Sequence, residues 1–593
     1  MKQAIFDLES NGLLKELTTI HCIAIKDSHQ NDRRVQSIKS YSPESIEDAL
    51  EILANADEIV GHNIIGFDIP AIQKVYPNWK PKGKVTDTLV LSRLIKADLI
   101  TEDSTSLALP KDFPRRLFGS HSLKAWGLRL GNHKGDYDGG WSAFNQDMLH
   151  YCEQDVEVTF ELLKLLNQDK DFPQACIDLE HQCAEVCERI GNNGWTFDEE
   201  KAGDFYATLS QKRLELENAL ETLFEPWEIR TPFTPKVNNE ARGYVKGETI
   251  DKVKVVHFNP NSRKHIAKCL KDKYKWKPKD YTPSGDAKVD ENVLIELPYP
   301  EAKHLAEFFL VQKRIAMLSE GKAAWMKLVD PDGKLRHNLV SNGTVSHRCA
   351  HRSPNLGNVP SIRSLYGKQC RELFTVPKGW VLCGSDLSGI ELRCLAHLLD
   401  DDGEYAKLIM EGDIHTHNMK AAGLDTRDQS KEFIYSTIFG GGDGLIGRIV
   451  GGTAKDGKRL KADFEKNVPA FKQLKKELTT AFKDRGFIRG IDRRKLYVRS
   501  EHRCLSQILQ NAGAVIAKKW VYLIDQEITA RGLNAYICGF IHDEVQIACE
   551  NQEVAEHVGN LTRIMAQETG EAFQFSIPIE AEFNTGKTWA DTH

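Results

Sequence analysis

No stretch of this chain is apolar for long enough to cross a bilayer, so a membrane-spanning protein is not expected. Its opening residues, MKQAIFDLESNG, place acids where a secretory leader needs its apolar core, which points to the cytoplasm. The 13 cysteines are scattered and none falls into C-x-x-C spacing. An odd number without a framework excludes a disulfide scaffold and suits reduced thiols. Cys183 and Cys187 come nearest to a metal-ligating pair, and the sequence shows no partner ligands for them. Internal repeats and low-complexity tails are absent, which excludes a solenoid. An overall basic excess is missing too: the net charge is -6, which taken alone weighs against a nucleic-acid partner.

The distribution of charge says more than its sum. Lys252 to Lys279 is dense in base, with Tyr274 and Trp276 interleaved and the acids clustering elsewhere, as in a surface that tracks phosphates. A chain of 593 residues also implies several domains. Residues 1–165 alternate strand patterns (QAIFDLES, IHCIAIK, DEIVGHN) with helical ones (SIEDALEILANA, QDVEVTFELLKLL), which predicts an α/β domain. Residues 166–320 read as mostly helical, interrupted by a basic Pro- and Gly-containing segment near 229–284. Beyond that the pattern is mixed, with strand-like WVLCGSDLSGIEL and YICGFIHDEVQIAC bracketing a largely helical insertion.

In FDLES, Asp7 and Glu9 stand two apart on a strand, so both side chains leave one face. HNIIGFD adds Asp68, and YCEQD adds Asp155 with Tyr151 one helical turn earlier. Four carboxylates converging in one small domain repel one another. Two hard divalent cations about 4 Å apart would relieve that repulsion, and oxygen ligands suit magnesium or manganese. The set resembles the three motifs of the DnaQ-like 3′-5′ exonucleases, in the form with Tyr in the third motif. The resemblance implies that Asp7, Glu9, Asp68 and Asp155 hold metals and that Tyr151 orients the attacking water.

A second set of acids lies far away in the chain. GSDLSGIELR offers Asp386 at a strand end, and FIHDEVQI, strand-like but with Asp543 and Glu544 in its middle where burial would be costly, offers Asp543 on a hairpin. The two segments can share metals only if their strands are neighbours in one sheet. TRDQSKEFIYSTIFG reads as a helix with Arg427, Lys431 and Tyr435 spaced every four residues. Two cations and an aromatic on one stripe fit a triphosphate with a base stacked beyond it, and His415 in GDIHTH adds a donor.

These segments resemble motifs A, B and C of the family A, DNA polymerase I-like, DNA polymerases, in the form used by replicative polymerases of short-tailed phages of the T-seven type. The match extends through GTVSHRCAHRSPNLGNVPSIRSLYGKQCRELF, GIELRCLAHL, DGEYAKLIMEGDIHT, LQNAGA and the final TWADTH. It implies an α/β and α+β multidomain fold: an RNase H-like exonuclease domain plus a right-hand polymerase. The exonuclease would span 1–165, the thumb 166–320, the palm 321–398 with 506–593, and the fingers 399–505.

By the same resemblance, Asp386 and Asp543 are catalytic metal ligands, with the Leu387 carbonyl as a backbone ligand and Glu544 supporting the site. Lys431, Arg427 and His415 bind the dNTP, and Lys431 protonates the pyrophosphate. Glu391 excludes a 2′-hydroxyl; Tyr435 pairs with it and favours acceptance of dideoxynucleotides. Arg348 and Gln510 touch the minor groove at the primer terminus, where the acceptors report pairing without reading sequence. His542 touches the primer strand. Mg2+ is the expected cofactor, two ions in each site, with Mn2+ able to substitute.

The expected partners are primer-template DNA and dNTPs, with a phage helicase, a primase and a single-strand binding protein possible alongside. The chain starts at the exonuclease, leaving no room for the 5′ nuclease of cellular repair enzymes. The best-known phage member of the group has a large thumb insertion that recruits thioredoxin as a clamp. Here only a short segment, about Phe224 to His257, occupies that place. A thioredoxin-type clamp is therefore doubtful, and the chain is expected to hold DNA through its basic thumb, Lys268 and Lys271 included, or through another partner. Four rival readings remain: a nuclease with a DNA-binding C-terminal part, a single-subunit RNA polymerase, a non-catalytic scaffold, and a repair or gap-filling polymerase.

Overall fold

The structure is a computed structural model that describes residues 2–29, 37–106, 109–132, 135, 137–399 and 401–593. It divides into two compact units, 1–196 with 336–359 and 374–593, and 197–335 with 360–373.

The first unit begins with a five-stranded sheet: β1 (Lys2–Ser10), β2 (Ile20–His29), β3 (Ile38–Tyr41), β4 (Glu58–Gly61) and β5 (Lys84–Asp87). The order is β3-β2-β1-β4-β5. β2 runs antiparallel to β1 and β3, and β4 runs parallel to β1 and β5. Side chains alternate across the sheet, so β1 feeds two cores. Ala4, Phe6 and Leu8 join helices α1 (Ile46–Ala54) and α2 (Asp68–Val75) on one face. Ile5 joins α3 (Gln146–Leu166) on the other. Asp7 and Glu9 continue the Ile5 row, so the strand period alone delivers both carboxylates to the α3 side. Next comes α4 (Gln174–Asn193), whose Cys183, Val186, Cys187 and Ile190 belong to the apolar core of the C-terminal sheet. The sequence reading assigned this helix to the thumb, whereas it is part of the first unit.

The second unit contains α5 (Glu199–Leu223), a β-ribbon of β6 (Trp227–Phe233) and β7 (Ile250–Val256), and α6 (Arg263–Tyr274). The basic segment is therefore partly strand and partly helix.

The first unit resumes with the short hairpin β8 (Asn338–Val340) and β9 (Ala350–Arg352), followed by β10 (Val381–Leu387) and α7 (Ile390–Leu398). β10 stops before the predicted strand does. Ser388 turns away to donate to the Glu580 carbonyl at 2.8 Å, and Gly389 takes a left-handed φ of 57° that starts the helix. Helices α8 (Ile414–Ala422), α9 (Arg427–Ile438) and α10 (Cys504–Ala530) precede β11 (Ala535–Ile541), β12 (Glu544–Cys549), α11 (Gln552–Ala572) and β13 (Ala581–Gly586). The sheet order is β11-β12-β10-β13.

Candidate active sites

FIHDEVQI is two strands rather than one. Ile541 pairs with Glu544, leaving His542 and Asp543 as the tip of a tight hairpin. His542 adopts a left-handed φ of 61°, a conformation His tolerates better than β-branched residues do. β12 then pairs with β10 in a register that sets Glu544 opposite Asp386. The Leu387 N–H donates to the Asp543 carbonyl at 3.1 Å and ties the strand end to the turn. Strand pairing thus joins the two acid-bearing segments.

The acids are crowded. Asp386 is open to solvent, yet protein mass surrounds it on the other sides. Burial, then Asp543, Glu544, Glu391 and Glu582, push its carboxyl up to about 8. Burial, then Glu391, push Asp543 up to about 6, while Arg348 pulls the other way. Glu582 pairs across from Asp386 on β13. The sequence reading missed it, because an acid on a distant strand has no local signal. Glu544 turns out to be heavily engaged. Its carboxylate accepts from Trp589 Nε1 at 2.5 Å and Gln546 Nε2 at 2.7 Å, and meets His593 Nδ1 at 3.0 Å. Trp589, buried, stacks on Trp195 at 5.3 Å. A Cβ on Gly384 would come within 2.4 Å of Gln546 and 2.6 Å of Thr592, so only glycine lets the C-terminal segment close over this strand.

Cations face these acids. A cleft is lined by Arg348, Glu391, Lys518, His542 and Asp543, with Gly513 and Ala514 of α10 as part of its wall. The loop before Arg348 is pinned by α10: Gln507 donates to Val345 at 2.9 Å and Asn511 to Ser346 at 3.2 Å. Gln510, half-buried one turn before Ala514, does not line that cleft. α9 opens with a capping box at Thr426 and Gln429, which sets Arg427 and Lys431 on its exposed face. Ser430 donates to the His415 carbonyl at 2.8 Å. His415 is half-buried, and burial, then Lys431 and Arg427, lower its pKa. Tyr435 is pushed up to about 12 by burial, then by Glu391 and Asp543, so both acids stand within electrostatic range of it.

In the N-terminal domain, oxygens of Asp7, Glu9 and Asp155 lie within 4.8 Å of one another. The Cys152 thiol donates to the Asp7 carbonyl at 3.3 Å, fixing α3 on β1. Asp68 is buried at the start of α2 and outside that trio. Burial, then Asp87, push it up to about 8, with Asp155 adding a smaller push. Asp87, also missed from sequence, accepts from the N–H groups of Asn63 at 2.8 Å, Ile65 at 3.1 Å and Leu89 at 2.8 Å, and so fixes the loop leading to Asp68. The Tyr151 ring packs against Tyr137 at 5.8 Å and Trp141 at 6.3 Å.

The thumb lysines carry a correction. α6 and its surroundings form an open groove lined by Arg263, Lys264, Lys268 and Lys271, but Asp272, Asp286 and Asp290 line it too. Lys268 pairs with Asp272, Lys264 with Asp286 at 3.2 Å and Lys273 with Glu301 at 2.5 Å. The acids are not elsewhere, because the fold lays them against the lysines and relieves like-charge repulsion.

Comparison with known proteins settles the family. A profile for DNA polymerase family A matches residues 236–591, and one for the RNase H superfamily matches 4–167. The chain belongs to DNA polymerase family A. The DNA-directed DNA polymerase of Escherichia phage T7 is 34% identical over 710 aligned positions, covering 99% of this chain and 100% of the relative. The same figures hold for that of Enterobacteria phage T3. DNA polymerase I of Lactococcus lactis subsp. lactis is 26% identical over 56% of this chain and 40% of its own length. The fold is shared with the POL domain of Pol1 from M. smegmatis: TM-score 0.74, 16% identity, 99% of this chain and 96% of that one. The chain is thus a DNA-directed DNA polymerase with an RNase H-like exonuclease domain. The RNA polymerase and scaffold readings fall away. Both of its domain types typically depend on divalent metals. No described helix is long and apolar enough to cross a membrane.

Proposed function

We propose that this polymerase copies a phage genome, with synthesis centred on Asp386 and Asp543 and 3′-5′ proofreading on Asp7, Glu9, Asp68 and Asp155. The observation that carries the reading is the register setting Glu544 opposite Asp386, with the Leu387–Asp543 backbone bond beside it. The carboxylate pair fits hard divalent ions: acids held this close retain full charge only beside cations. Bound Mg2+, two ions in each site, would stabilise charge on the phosphate oxygens and raise the acidity of the attacking hydroxyl or water.

The chain's own residues do the rest. Arg427, Lys431 and His415 gather the triphosphate, and Lys431 offers a proton to the departing pyrophosphate. Glu391 occupies the space a 2′-hydroxyl would need, beside Tyr435. Arg348 and Gln510 would contact the primer terminus, and His542 the primer strand. Glu544, held by Trp589, Gln546 and His593, supports Asp386 from the paired strand. Primer-template DNA and dNTP are bound by the M. smegmatis protein of the same fold, which supports the same ligands here. In the exonuclease, Tyr151 orients the water. The working division keeps the exonuclease at 1–165, the palm at 321–398 with 506–593 and the fingers at 399–505, and moves the start of the thumb from 166 to 197, where the second unit begins.

The test is synthesis on a singly primed long circle with a trap for dissociated enzyme. Long products from the chain alone support a self-contained replicase, and products of a few nucleotides favour a missing clamp or a gap-filling role. Preference for NTP over dNTP would refute the role of Glu391. Tyr435→Phe should raise discrimination against dideoxynucleotides, and unchanged incorporation would remove Tyr435 from that role.

A further inference from the structure

The α4 helix presents Cys183 and Cys187 one turn apart, and Cys349 arrives beside them just before β9. The Cys183 and Cys187 Sγ atoms are 3.8 Å apart, those of Cys183 and Cys349 are 4.0 Å apart, and all three lie within 4.8 Å of one another. Three sulphurs bound at about 2.3 Å to a tetrahedral ion would stand roughly 3.8 Å apart. The thiols therefore already sit near three corners of such a site. Cys183 and Cys187 are buried, while Cys349 is half-buried and lines the cleft that also holds Arg348, Lys518, His542 and Asp543. One side of the trio is thus open to a fourth ligand from the cleft.

We propose that Cys183, Cys187 and Cys349 form a three-thiolate site for a borderline or soft divalent ion, zinc foremost, distinct from the carboxylate centres. Thiolate ligands select zinc or cadmium, whereas magnesium takes oxygen. A divalent ion on three thiolates has a net charge of about -1. The Lys518 ammonium, anchored to Glu180 at 2.6 Å and Asn342 at 2.9 Å, acts electrostatically on Cys349 and Cys183 and suits that charge. Two residues past Cys349, the buried His351 ring has no hydrogen-bond partner for Nδ1 among the described residues. The bound ion would staple α4 to the segment carrying Arg348, and so hold that guanidinium in place against Asp543.

The test uses the full chain, reduced with a phosphine and stripped by chelation, then titrated with Co2+ in excess Mg2+. A sulphur-to-cobalt charge-transfer band that saturates at one equivalent and bleaches with Zn2+ is expected. Cys349→Ser should abolish it, and Cys269→Ser should leave it intact. X-ray absorption of the zinc-loaded natural chain, which needs no variant to fold, should show three sulphurs at about 2.3 Å. The proposal is overturned by absence of the band, by its persistence in Cys349→Ser, or by a zinc shell of oxygen and nitrogen alone.

Discussion

In the exonuclease domain, Asp7 and Glu9 are neighbours on one strand, and Asp155 reaches them on a helix packed across the same face. In the polymerase centre, Asp386 and Asp543 sit on segments that only a strand pairing unites. The surroundings differ as well. Arg348 and Lys518 line the cleft that holds Asp543 and Glu391, and Lys431 and Arg427 stand close enough to His415 to lower its pKa. In the exonuclease domain, Tyr151 precedes Asp155 by one turn of α3, and its ring packs with Tyr137 and Trp141. Carboxylates are crowded in both centres, and their neighbours differ.

The largest effect expected is a clean separation of the two centres. Asp543→Ala should cut synthesis by about a thousandfold or more while leaving 3′ degradation of single strands intact. Asp7→Ala with Glu9→Ala should do the reverse. Primer extension and degradation measured on one preparation check both. Loss of both activities in either variant would mean a shared site or a misfolded chain.

Next is the metal-free pH dependence. Asp386 and Asp68 are raised to about 8 and Asp543 to about 6, so the folded chain binds these protons more tightly than the unfolded one. Their contribution to stability is full at low pH and is lost as pH rises from the ordinary carboxylate range through those values. With chelator present, Tm should therefore fall over that window. Mg2+ should raise Tm more at about pH 9 than at about pH 5, because at low pH it must displace protons. Asp386→Asn with Asp543→Asn should flatten the polymerase share and leave that of Asp68. Calorimetry with an equal Mg2+ shift at both pH values would break the comparison.

The smallest effect concerns the thumb. Replacing Lys268, Lys271, Lys273 and Lys275 with Ala should lower the salt slope of DNA binding by about two rather than four, because Lys268 and Lys273 already pair with Asp272 and Glu301. An unchanged slope would remove the thumb helix from DNA contact.

The exonuclease was legible because its signals are local: period two puts Asp7 and Glu9 together, and one helical turn links Tyr151 to Asp155. The stripe of Arg427, Lys431 and Tyr435 was legible for the same reason. The polymerase acids were recognisable as motifs, but their meeting depends on register, which backbone pairing over many residues sets. Glu582, Asp87, the grip of Trp589 and His593 on Glu544, and the acids folded onto the thumb lysines were hidden. Each joins residues distant in sequence, and no periodicity encodes such contacts. Cys183 and Cys187 show the limit most plainly. The sequence singled out the pair without a partner ligand, and only packing supplied Cys349, because side chains far apart in the chain become neighbours when burial of the surrounding apolar core brings their segments together.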